Sequence, residues 1–161
     1  SRRRFAARLD SGIRPHMQRL LRPIALLVLL VTGCRPAHDI SMAIGEQFHA
    51  SGGASVNLDS AATGEWERVC IAGPYASDAF IAQTLGFPWS TRGRSTIASS
   101  DSVALLLFVR QRTVVSWVEH PRGSGDFSNL SGRCFERSRA KFRQVNHTAK
   151  GYAGLFPSNE A

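Results

Sequence analysis

No stretch of this chain is apolar for long enough to cross a bilayer: its longest such run, Ile24 to Val31, has about eight residues where a spanning helix needs about 20. Cysteine is scarce, three in 161 residues, and no C-x-x-C pair stands near any of them. Among His38, His49, His120 and His147 no two stand four apart or as H-x-H. That leaves no ligand spacing for a metal, so no metal and no cofactor are expected. The chain also lacks a G-x-S-x-G elbow, a glycine-rich phosphate loop with its lysine, and any internal repeat. Those absences remove the commonest signatures of hydrolases and nucleotide binders.

What remains is enough for one domain. The formal net charge of +8 suggests a nucleic acid or an anionic surface until it is located along the chain. Residues 1–33 hold seven arginines against Asp10 alone. The rest has 13 basic residues against 11 acidic ones, so a nucleic-acid partner loses its support.

From Met17 the order is a positive end with Arg19 and Arg22, then the apolar run Ile24 to Val31, then the small residues Thr32-Gly33 before Cys34. That is the layout of a secretory signal peptide covering 1–33. A signal complete from Met17 makes residues 1–16 an upstream extension, with translation expected to start at Met17.

Val31-Thr32-Gly33-Cys34 resembles the lipobox of bacterial lipoproteins, in which a branched apolar residue, a small residue and Gly or Ala precede a cysteine. The resemblance implies a thioether-linked lipid on Cys34, cleavage between Gly33 and Cys34, and acylation of the new amino terminus. Several acyl chains give stable anchoring where one gives only marginal binding. Arg35, rather than Asp, follows the cysteine; by resemblance to sorting in enteric bacteria this implies the outer membrane, facing the periplasm. With Cys34 lipidated, Cys70 and Cys134 remain as a pair in an oxidising compartment, where a disulfide is expected. It would close a loop of about 64 residues and stabilise the fold by roughly 4 kcal/mol.

The part after the anchor divides by texture. Residues 34–59 read as a flexible leader that becomes a domain edge, rich in Ser, Gly and Ala, with only Ile40, Met42, Ile44 and Phe48 to bury and room for a short helix or strand near its end. Residues 60–143 read as a disulfide-tied α+β domain: an antiparallel sheet of about four strands with one main helix packed on it. The strands are Trp66 to Ala72, Val103 to Val109, Thr113 to Val118 and Gly132 to Arg137. Arg110-Gln111-Arg112 joins the middle two as a hairpin, and the uninterrupted apolar run at Val103 suits a central strand. The helix has Ser77 as N-cap and Gly86 as stop. Residues 144–161 read as a loose tail.

Four places could carry chemistry. His120, Arg122 and Asp126 share one loop with Ser124, and a histidine with an acid and a hydroxyl is the raw material of hydrolysis. Gly123, Gly125 and Pro121 also suit a plain turn. The Gly73-Pro74-Tyr75 corner precedes a helix N-terminus that can hold an anion. The histidines are discounted for metal, and the basic stretch Arg133, Arg137, Arg139, Lys141 and Arg143 suits lipid phosphates, an acidic partner or a solvated edge.

Trp66-x-x-Val69-Cys70-x-x-Gly73-Pro74-Tyr75, Val118-Glu119-His120-Pro121-Arg122-Gly123 and Gly132-Arg133-Cys134 look like a group of small Gram-negative lipoproteins. That resemblance implies no activity and no catalytic residue. The expectation is a non-enzymatic envelope lipoprotein, held to the membrane through Cys34 and binding an envelope protein or component. A periplasmic inhibitor of a host hydrolase is a narrower version of the same reading. The alternative is a small envelope hydrolase using His120 and Asp126.

Overall fold

The computed structural model describes residues 37–145, 151–152 and 154–159, with the side chains of Ala37 and His38 excepted. The segment expected to be a signal peptide, residues 1–33, lies outside the described residues, as do Cys34 and His147. In chain order the elements are α1 (Ala37–Ala50), β1 (Ser55–Asn57), α2 (Leu58–Ala61), β2 (Arg68–Ala72), α3 (Asp78–Leu85), β3 (Val103–Arg110), β4 (Thr113–Pro121), β5 (Cys134–Glu136), β6 (Lys141–Gln144) and β7 (Leu155–Pro157). The fold is α+β. One antiparallel sheet has the order β4-β3-β2-β5 and a second, smaller one the order β1-β6-β7.

The four-stranded sheet separates two hydrophobic layers, which explains the unbroken apolar run in β3. Successive side chains of a strand point to opposite faces. Ala104, Leu106 and Phe108 enter one layer with α1, Val69, Ile71 and Phe142. Leu105, Leu107 and Val109 enter the other with Cys70, Ile81 and Leu85. A strand buried on both sides has no position left for a polar residue. Cys70 and Cys134 face each other across β2 and β5 and are joined by a disulfide, with Cα atoms 4.0 Å apart.

α3 closes the second layer with the caps its sequence carries. The Ser77 hydroxyl accepts the Phe80 amide at 3.2 Å, and Gly86 ends the helix in the left-handed region at φ +78°. Asp78 in its first turn accepts from the Thr91 amide and hydroxyl and from the Ser90 hydroxyl. Those three donors hold its pKa down at about 2. They also fasten the loop after α3 onto the helix start.

Residues 34–59 depart from the expected flexible leader. Most of this segment is α1, the longest helix among the described residues, followed by β1 and α2. Ile40, Ile44 and Phe48 are four apart and fall on one helical face, so few apolar residues suffice. Ile40 and Ile44 are fully buried, while Met42 points outward and is half exposed. Helices of this length are held mainly by tertiary packing, which a count of apolar residues does not reveal.

The tail expected to be loose also has a fixed part. Leu155–Pro157 forms β7 against β6, with Leu155 wholly buried. Its amide donates to the Asp126 carbonyl and its carbonyl accepts from the Asn129 side chain, both at 2.8 Å. The basic stretch is likewise no single strand. It breaks at a turn, Arg137–Arg139, that moves the chain from β5 in one sheet to β6 in the other. Arg137 lies over the Trp66 ring and bonds the Asp59 carboxylate and the Gly64 carbonyl.

Candidate functional site

β4 is an edge strand, and α1 packs along the face that it turns to the first layer. A groove of about 780 Å³ runs between them, lined by Ser41, Met42, Gly45, Glu46 and His49 of α1 and by Val118, His120 and Ser124 on the opposite side. A second groove of about 560 Å³ lies around the first turn of α1, among Ile40, Trp66, Phe108, Arg110 and Val115. Val115 owes its position to a bulge. Phe108 pairs with Ser116 and Val109 with Val114, so Val115 is left without a partner opposite and is 41% exposed.

His120 forms the floor of the first groove and is fully buried. Its Nε2 lies 3.0 Å from the Ser124 carbonyl, which can only accept, so Nε2 carries the proton. Nδ1 is then an acceptor, and the Ser41 hydroxyl donates to it at 3.0 Å. Burial pushes the imidazole pKa below its ordinary value of 6.5, because the charged form would lose its hydration; the Ser124 bond opposes this more weakly. The ring packs edge-on to Phe127. In this state His120 is a neutral, doubly bonded bridge between α1 and the loop after β4.

Asp126 is almost fully buried and does not serve His120. Both its oxygens accept from Arg122, at 3.0 Å from Nε and from a terminal nitrogen, and one also accepts the Ser128 amide at 2.9 Å. Arg122 further donates to the Asp101 carbonyl and lies over the Tyr152 ring, and its pKa is raised chiefly by the Asp126 hydrogen bond. The expected loop residues are therefore together, in two separate constructions. One bridges to α1 through His120, and the other locks the loop through Arg122 and Asp126. Gly125 between them has φ +121°, and a Cβ there would stand 3.3 Å from Leu155. Only glycine allows the loop to press this closely on the core.

The amides of the other turn candidate are engaged as well. At the Gly73-Pro74-Tyr75 corner the Gly73 amide donates to the Ser131 hydroxyl and the Tyr75 amide to the Ile97 carbonyl, each at 2.8 Å. These two corner amides are not open to an anion, and at the helix start behind them the Phe80 amide is taken by the Ser77 hydroxyl. Among the described residues no group of three His, Cys, Asp or Glu is placed to hold a metal.

Sequence reasoning gives Ser41 and Glu46 no role, and names Met42 only for burial and His49 only as a discounted metal ligand, because it makes their segment a leader. The helical spacing of Ile40, Ile44 and Phe48 was the available signal. Compared with protein-family models, with curated proteins and with solved structures, the chain matches none.

Proposed function

We propose that this chain is a lipid-anchored envelope protein, non-enzymatic, that holds an extended segment of a protein partner or envelope component along the groove between α1 and β4. The lipobox ending at Cys34 supports the anchor. The observation that carries the binding reading is the groove itself. It is walled by a helix on one side and by a strand with no strand neighbour on its outer edge among the described residues. Such an edge offers backbone donors and acceptors to an added strand, and the exposed Met42 offers an adaptable apolar contact. His120 holds the two walls together and Asp126 is taken up by Arg122 within the loop, which suits a binding cleft better than a reaction centre.

A photo-crosslinking side chain placed at Met42 of the full lipidated protein tests this reading in its own membranes. One defined adduct is expected, lost when Glu46→Arg alters the groove and kept when Arg92→Glu alters a remote surface. Adducts that ignore Glu46→Arg would remove the groove from the binding function.

Hydrolysis keeps one observation in its favour, and it lies at Ser41 rather than Asp126. The hydroxyl on a histidine nitrogen at the groove wall is a nucleophile-base arrangement, with the Ser124 carbonyl orienting the base. A serine-directed phosphonate probe decides it. No label at Ser41 ends this reading.

A further inference from the structure

We infer that the end of the domain around the first turn of α1 is its membrane-facing surface, with Val115, Arg110 and the Gln111-Arg112 turn resting against lipid headgroups. The inference rests on lipidation of Cys34. Only Arg35 and Pro36 stand between Cys34 and Ala37, where α1 begins. Three residue steps of fully extended chain span at most about 11 Å. The helix itself is about 21 Å long at 1.5 Å per residue. The lipid attachment thus lies closer to the start of α1 than the far end of that helix does.

Nor can the start of α1 unwind cheaply to lengthen the tether. Ile40, in the first turn, is 1% exposed and belongs to the core. The domain is pinned at that end, and the surface around it is the one the bilayer meets. That surface has the composition of an interfacial contact. The bulge puts the apolar Val115 at the rim of the groove beside Ile40. The Arg110 side chain is half exposed and paired with Glu65, the Gln111 amide donates to the Glu67 carboxylate, and the exposed Arg112 lies over the Phe87 ring, so the turn presents two guanidinium groups to headgroup phosphates together with two carboxylates.

Charge alone would select a different orientation. Lys141 and Arg143 of β6 are exposed, and Lys141 lies beside Gln47 and Ala50 at the far end of α1. The short tether opposes the orientation that these basic residues favour, so the two can be separated by experiment.

The test uses the full lipidated protein in vesicles of phosphatidylethanolamine and phosphatidylglycerol that carry nitroxide-labelled headgroups. A fluorophore is placed at Val115 (Val115→Cys), at Met42 (Met42→Cys) or at Arg143 (Arg143→Cys). Severalfold stronger quenching is expected at positions 115 and 42 than at 143. Equal quenching, or stronger quenching at 143, would overturn the orientation. A flexible Gly-Ser spacer of about 12 residues after Pro36, with a reach of about 20 Å, should abolish the difference. A difference that survives the spacer would show that the tether does not set the orientation. Intact mass of the same samples separates the two levels of the claim. A chain without acyl groups removes the anchor, and the inference with it, whereas an acylated chain with the wrong quenching pattern removes the orientation alone.

Discussion

The two faces of the four-stranded sheet are closed in different ways. The face carrying Leu105 and Leu107 is covered by α3 and the segment after it, from residues between 76 and 97 that lie close in sequence to β2 and β3. The opposite face, carrying Leu106 and Phe108, is covered by α1 and by the small sheet, whose residues come from both ends of the described chain. Adjacent residues on β4 show the same division. Glu119 bonds Ser95 and Thr96 of the local loop, whereas His120 reaches Ser41, 79 positions away. The local face is a support. The distant face holds both grooves, because joining remote segments leaves seams between them.

This comparison breaks most sharply on a matched pair of core truncations. Ile44 in α1 and Ile81 in α3 are each 0% exposed. Ile44→Ala and Ile81→Ala should each cost about 2–5 kcal/mol in denaturant unfolding. A loss below about 1 kcal/mol for Ile44→Ala alone would make α1 a loosely attached leader after all.

A smaller effect follows from His120, which ties the distant face to the β4 loop. Its folded pKa is depressed below 6.5, so at lower pH the unfolded chain binds a proton that the folded chain refuses. Stability should therefore fall as pH drops below about 6.5, by at most about 1.4 kcal/mol per pH unit, until the folded pKa is reached. His120→Gln should flatten that part of the stability profile. An unchanged slope in the variant would show that another group is responsible. On the local face the expected effect is smaller still. Ser77→Ala removes the α3 cap and should cost about 1 kcal/mol, read as a shift in the unfolding midpoint with no change in its pH dependence.

The local face was also the legible one. Ser77, Gly86 and the apolar run of β3 each carry their instruction within a few residues. α1 carries its instruction at a spacing of four, diluted by Ser, Gly and charged neighbours, and its stability comes from partners the sequence does not name. β7 is three residues long and is fixed by Asp126 and Asn129, which no local pattern connects to Leu155. The site followed suit. His120 and Asp126 were found because they are near in sequence, yet Asp126 pairs with Arg122 four residues earlier, and the partner of His120 lay in the segment taken for a leader.

The proposed function depends above all on the anchor, and the mass of the mature protein extracted from its membranes reads it directly. The expected chain begins at Cys34 and carries acyl groups on that residue. A mature chain that retains residues before Cys34, or one with a free thiol there, would contradict it.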